Sequence, residues 1–335
     1  MKKLLTLVLA LVLVMGLAAN ASALTIAFSQ IGQESDLRTA NTDSVAASMA
    51  EKAADGWEYV YSDGQQKQEN QIAALRNFIT QGVDYILFTG VVDTGWEEVL
   101  AEVNEAEIPL ILLDRIPACA DQIDYEVAFG GDFIEEGYRM VKWAGEYLKT
   151  LGRGEEEVAV AIMEGTTGAS AQVDRTTGNL KAMAEYPNMK LVTQQSGNFT
   201  RAEGQAVMES WLKSVEKIDV LFAQNDDMAL GAIDAIKAAG LVPGQDIIIV
   251  GCDSVKAAFD AIVAGEMNAT IECTPLYGPT VVDFINRLEA GETFDKTIVN
   301  PEEGVFDCVG GIECGSEAKP VKSILAADVI AERQY

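Results

Sequence analysis

Polar residues able to grip a small molecule recur at points of the chain where a short β-branched run gives out. The stretch 30–38 follows the run 25–29, Asp114 and Arg115 follow 110–113, and the stretch 165–175, ending in Arg175, follows 158–164. Asn225, Asp226 and Asp227 follow 220–224, and Asp253 follows 247–252. A neutral polyol offers hydroxyls that both donate and accept, so it is held by a mixture of pure acceptors, rigid donors and amides. Aspartate beside arginine supplies that mixture, because each charge compensates the other while both keep groups to spare. Asp114 with Arg115 and Asp253 with Arg175 are the expected couples, and Asn225 adds an amide able to address two hydroxyls. The competing reading makes these residues surface ion pairs and helix caps, with Asp226 or Asp227 as an N-cap. Phe199, at another strand end, is a candidate plane for the C–H face of a ring, and Trp96 is a second; core packing suits both equally.

Catalysis is poorly served. The chain has no histidine, which removes the commonest general base and metal ligand. Paired carboxylates are the tools of glycosidases, but Asp226 and Asp227 are sequence neighbours that diverge unless a turn holds them, and no apolar pocket to raise one pKa is apparent. The glycines at 165 and 168 are followed by no lysine at phosphate-loop spacing, and no GxSxG elbow occurs. The five cysteines, Cys119, Cys252, Cys273, Cys308 and Cys314, match no zinc spacing. In an oxidising compartment their odd number leaves at least one thiol free. Cys308 and Cys314, flanking Gly310 and Gly311, are the expected disulfide. Neither catalytic residues nor a metal nor a cofactor is predicted.

The elements that must position these tips alternate in the manner of a doubly wound parallel sheet. Strands are predicted over 25–29, 57–62, 85–89 and 110–113, with helices over 37–54, 66–81 and 96–106. A second series follows Gly130 and Gly131: helix 134–151, strand 158–164, helix 175–184, strand 191–196, helix 201–215, strand 220–224, helix 228–239 and strand 247–252. In such sheets ligands bind beyond the carboxyl ends of the strands, which is where the polar residues lie. Residues 1–23 read as a secretory signal, with Lys2 and Lys3, an apolar stretch over 4–17 and the small residues Ala21, Ser22 and Ala23. An apolar core of about 14 residues is short of the roughly 20 that span a bilayer. The 312 residues that remain (335 minus 23) exceed what one core organises, so two domains are expected. Net charge of −28 disfavours nucleic acid as a partner.

Phe28, Ser29 and Gln30 with Glu34, Ser35 and Arg38, the run DGQQKQENQ from Asp63, the residues 112–115 and 170–175, and Asn225 to Met228 together resemble the sugar-binding branch of the type I periplasmic binding proteins. The galactofuranose-binding type of ABC importers is the nearest pattern, and the resemblance runs to about residue 297. It implies an α/β fold of two doubly wound parallel-sheet lobes joined by a three-stranded hinge. One lobe would comprise 24–128 plus 274–302, the other 129–273 plus 303–335. It places sugar contacts at Asp114 and Arg115 in the first lobe, at Arg175, Phe199, Asn225 and Asp253 in the second, and at Glu34 and Arg38 in the first loop. The ligand implied is a monosaccharide, galactofuranose or a related furanose, pentose or hexose. The implied partners are ABC permease subunits, with the protein a monomer in the periplasm. Leu37 stands where the galactofuranose type carries tryptophan, and Cys273 where ribose binders carry glutamine. No Asp-rich calcium loop is present. The alternative is a sugar-sensing co-receptor for a chemosensor or histidine kinase. Repressor effector domains share the fold, but the export signal and the missing helix-turn-helix argue against one.

Overall fold

The computed structural model describes residues 23–300 and 304–335. The expected export signal lies outside them except for Ala23. Two sheets organise the chain. The first is all parallel, in the order β11-β5-β4-β3-β1-β2, with β1 Thr25–Gln30, β2 Glu58–Asp63, β3 Tyr85–Phe88, β4 Leu110–Leu113, β5 Val127–Gly130 and β11 Thr297–Val299. Helices α1 Asp36–Lys52, α2 Gln68–Gln81, α3 Glu97–Glu105 and α9 Gly278–Glu289 belong to the same lobe.

The second sheet runs β13-β12-β10-β9-β8-β6-β7. Its strands are β6 Val158–Glu164, β7 Met189–Ser196, β8 Val220–Ala223, β9 Ile248–Asp253, β10 Ala269–Glu272, β12 Val305–Asp307 and β13 Ile324–Leu325. The pairing of β10 with β12 is antiparallel and the others are parallel. Its helices are α4 Phe133–Thr150, α5 Ser170–Met183, α6 Arg201–Ser214, α7 Asp226–Ala238, α8 Lys256–Val263 and α10 Ala326–Val329. The chain passes between the sheets three times: after β5, between β10 and α9, and between β11 and β12. Among the described residues no helix is long and apolar enough to cross a membrane.

Central strands read as unbroken apolar runs, YILF in β3, LILL in β4 and VLFA in β8, and every residue in them is buried. Helices cover both faces of a parallel sheet, so neither side of such a strand can be polar. The edge strand β7 carries exposed residues along its length. The predicted strands and helices up to residue 253 match the observed ones to within a few residues. The largest shift is α5, which starts at Ser170, five residues before the predicted start at 175. Its N-cap, Ala169, makes no side-chain capping bond, so the usual start signal is missing.

Two close approaches fix the scaffold of the site. A Cβ on Gly137 of α4 would lie 2.1 Å from the carbonyl of Arg175, and one on Gly178 of α5 would lie 2.0 Å from that of Ile134. The two helices therefore touch backbone to backbone, which only glycine permits. At the end of the DGQQKQENQ run, buried Gln71 donates to the Thr89 carbonyl at 2.8 Å and accepts from the Val91 amide at 3.0 Å, pinning the loop that follows β3.

The expected disulfide is not formed, and all five cysteines are free thiols. Asp307 accepts from the amides of Val309 and Gly310 and from the indole of Trp143 on α4. That arrangement turns Cys308 toward α4, where its Sγ lies 3.9 Å from the Tyr147 hydroxyl. Cys314 is buried elsewhere, its Sγ 3.7 Å from the Val321 carbonyl. A disulfide needs its Cβ atoms about 3.5–4.5 Å apart, and flanking a glycine turn does not by itself bring that about. Titration with Ellman's reagent under denaturing, non-reducing conditions is expected to find five thiols per chain. A count lower by two would restore the disulfide.

Candidate functional site

The carboxyl ends of the two sheets face each other across a small cavity. All eight residues singled out from the sequence line it: Glu34, Arg38, Asp114 and Arg115 from the first lobe, and Arg175, Phe199, Asn225 and Asp253 from the second. Each is buried, the most exposed being Glu34 at 6%. Leu37, Phe133, Ala171 and, at the second crossing, Cys273 complete the wall.

The charges pair differently from the sequence expectation. Asp114 does not couple to its neighbour Arg115 but accepts from Arg38 on α1. Arg115 donates to Glu34, whose same oxygen lies 3.7 Å from Arg38 Nε. The four form a continuous chain, Arg115–Glu34–Arg38–Asp114. Arg175 reaches Asp253 at 3.5 Å, yet its tighter bonds go to Glu136 at 2.7 Å and to the Gln224 carbonyl at 2.6 Å. Glu136 escaped the sequence reading. It is 0% exposed and lies on α4 in register with Phe133, Met140 and Ala144, so a carboxylate on the apolar face of an amphipathic helix was the available signal.

Burial and pairing set the protonation of the cluster. Burial opposes the charge on Arg38, but Asp114 and Glu34 outweigh it and raise the guanidinium further. Burial likewise works against Asp114, where Arg38 and Arg115 win and hold the carboxyl below its usual range. For Asp253 burial prevails over Arg175 and pushes the carboxyl well up. The three guanidiniums of Arg38, Arg115 and Arg175 thus stand among the four carboxyl groups of Glu34, Asp114, Glu136 and Asp253. Several polar atoms of the cluster nevertheless have no hydrogen-bond partner within the protein: Glu34 Oε2, Arg38 Nε and Nη1, Arg115 Nε and Glu136 Oε1.

Three site residues are held in left-handed backbone: Asp114 at φ 60°, Phe199 at 61° and Asp253 at 116°. Each such conformation costs about 1–3 kcal/mol and persists only when its surroundings enforce it. Asp114 donates its amide to the Phe129 carbonyl at 2.8 Å and lies against Gly130, where a Cβ would meet its carbonyl at 2.9 Å. The Phe199 ring covers Gly165, where a Cβ would lie 1.8 Å from it, and stands 4.7 Å from the Arg115 guanidinium. Phe199 is thus a cavity wall. Trp96 is not: it is wholly buried 4.9 Å from Phe88, with its indole donating to the Val92 carbonyl.

Asn225, rather than either aspartate, is the N-cap of α7, accepting from the Met228 amide at 3.0 Å while donating to the Phe199 carbonyl at 2.9 Å. One lone pair and one N–H of its amide remain. The paired aspartates, expected to lie in no environment that raises a carboxyl pKa, are in one: burial pushes Asp226 up to about 8 and Asp227 up to about 6. Both have structural partners. Asp226 bonds Thr270 at 2.8 Å and the Val255 amide at 3.0 Å, tying down the turn after Asp253. Asp227 accepts from the Asp36 amide of the opposite lobe at 2.8 Å.

Two α/β lobes gripping a small polar cavity at their strand ends define a solute-binding protein, and a comparison of families agrees. The periplasmic binding protein domain matches residues 27–286, and the chain belongs to that family. Its members are solute-binding proteins, not enzymes, and act outside the cytoplasm. Among curated relatives, the galactofuranose-binding protein YtfQ of Escherichia coli is 43% identical over 84% of this chain and 86% of its own. The ribose import binding protein RbsB of Bacillus subtilis is 30% identical over 73% and 76%. Among solved structures, a Mycobacterium smegmatis protein in complex with β-D-fucofuranose superimposes with a TM-score of 0.81 at 45% identity, covering 85% of this chain and 92% of its own. The arabinose-transporter binding protein of Shewanella, bound to L-arabinofuranose, does so with 0.79 at 38%, covering 92% and 95%.

Asp226 yields a pH prediction. In the unfolded chain its pKa is about 3.9. Raised to about 8 in the fold, it makes the folded state bind the extra proton between these values. Stability must therefore fall as pH rises through that window, by up to about 1.4 kcal/mol per pH unit. Asp226→Asn keeps an amide oxygen that can accept from Val255 but does not titrate. Urea unfolding at pH 5 and pH 7.5 is expected to show the variant gaining on the wild type at the higher pH. A constant difference would contradict this.

Proposed function

We propose that the protein captures a monosaccharide, in furanose form, and presents it to the permease of an ABC importer. The observation that carries this reading is the set of buried, unpartnered polar atoms around the cavity. Each would cost about 1–3 kcal/mol if left without a partner, and ring hydroxyls can partner those on the cavity-lining Glu34, Arg38 and Arg115. The cavity is small and walled mainly by charged and polar side chains, which suits a small polar occupant. Charges that balance among themselves suit a neutral ligand rather than a sugar acid or phosphate. The similarity to proteins described as binding galactofuranose, fucofuranose and arabinofuranose points to the five-membered ring.

In this reading Glu34, Arg38, Asp114 and Arg115 hold the sugar on one lobe, and Arg175, Asn225 and Asp253 engage it from the other as the lobes come together. Phe199 presents an apolar plane to the C–H face. Because these contacts are made from both lobes, binding favours the closed arrangement by their difference. That form would be the one the permease recognises. The protein would act as a monomer in the periplasm after removal of residues 1–23.

Isothermal titration calorimetry of the mature chain against L-arabinose, D-fucose, a methyl galactofuranoside and D-ribose tests the reading. Saturable binding of at least one furanose-forming sugar is expected, and absence of any binding would sink it. The double variant Arg175→Gln with Glu136→Gln keeps the buried charge balanced while removing the guanidinium. It is expected to lose roughly 10- to 100-fold in affinity with an unchanged circular dichroism spectrum.

A further inference from the structure

A partly buried arginine far along the chain lies outside the cavity yet grips the turn that carries one of its residues. Arg333 follows α10. Its Nη2 donates to the Ser254 carbonyl at 2.8 Å and its Nη1 to Glu272 Oε1 at 2.8 Å. The guanidinium lies within 5.1 Å of three ring centroids, those of Phe259, Phe306 and Tyr335. The Tyr335 carbonyl in turn accepts from the Lys256 amide at 2.6 Å.

The turn it holds is strained. Asp253 and Ser254 both have left-handed φ, 116° and 61°, and two such residues in succession unwind unless their surroundings resist. Asp226 and Thr270 hold the turn from within, through the amides of Val255 and Ser254. Arg333 holds it from the other side through the Ser254 carbonyl. Its second anchor is equally placed: Glu272 is the register partner of Asp253 across β9 and β10, and it immediately precedes Cys273 in the cavity wall.

We infer that Arg333 is a positioning residue for the binding site, fixing Asp253 toward the cavity by clamping the Ser254 carbonyl to Glu272 at the second crossing. The inference rests on Asp253 being a ligand contact, as proposed above. A planar guanidinium can bridge the two acceptors at once, whereas a lysine, with a single nitrogen, cannot hold the same fork. The surrounding rings keep the fork in place and dry, where its bonds are strongest.

Calorimetric titration of L-arabinose or a methyl galactofuranoside into Arg333→Lys and Arg333→Ala, alone and combined with Asp253→Asn or Asp114→Asn, tests it. Loss of about tenfold in affinity is expected for either Arg333 variant alone. That loss should vanish in the Asp253→Asn background and persist undiminished in the Asp114→Asn background. Equal losses in both backgrounds, or lower thermal stability with unchanged affinity, would overturn the inference. Hydrogen exchange supplies a readout that needs no ligand: the amides of Ser254 and Val255 should exchange faster in Arg333→Lys while those of β8 do not. If the wild type bound no furanose, the functional reading would fail, and unchanged exchange at Ser254 and Val255 would separately refute the clamp.

Discussion

Three guanidiniums cannot be buried around one small cavity unless each finds a negative partner, and much of the site's architecture follows from that demand. A lone buried ion is destabilising by several kcal/mol, so every arginine here is met by a carboxylate, and each by one from a distant stretch of chain. Arg38 draws on Asp114 from the end of β4, and Arg115 on Glu34 from the loop before α1. Arg175 draws on Glu136 from the first turn of α4. The backbone contact of α4 with α5 at Gly137 and Gly178 is what brings the last pair within reach. Charge compensation and helix packing are thus one constraint seen twice.

The same constraint leaves the site with polar capacity to spare. Pairing compensates the charges but does not satisfy every N–H and lone pair, so the cluster is still short of hydrogen bonds. That combination discriminates by chemistry: an ion would upset the balance, an apolar molecule would leave the orphans unpaired, and a polyhydroxylated ring answers both. The strained backbone at Asp114, Phe199 and Asp253 serves the same end, aiming short side chains into the cavity from the tight turns at strand ends.

The apolar part of the wall is where this chain has its own character. Leu37 comes from the first lobe but packs with the buried cluster of the second, alongside Phe133, Ala171 and Phe199. Cys273, a weak hydrogen-bonding group whose thiol burial pushes up, occupies the crossing side. Both surfaces offer contact with little directional bonding.

The sequence alone determined the alternating α/β order and the strand-end location of the polar residues. Both are local properties: apolar runs of four to six residues must be sheet interiors, and polar groups at their carboxyl ends can only face the loops. It also disclosed, through the resemblance it carries, the family to which the chain belongs. Beyond residue 253 the pattern weakens, since β11 has three residues and β13 two, too short for periodicity to register. Tertiary structure alone decided who pairs with whom. Asp114 and Arg115 are sequence neighbours, yet the left-handed turn at Asp114 sends one to Arg38 and the other to Glu34. Glu136 and Arg333 went unread because the hydrogen-bond partners that give them their roles, Arg175 for one and Ser254 and Glu272 for the other, lie 39 and at least 61 residues away. The predicted Cys308–Cys314 bond failed for a related reason: proximity along the chain does not set the direction in which a side chain leaves it, and only the packed neighbours do.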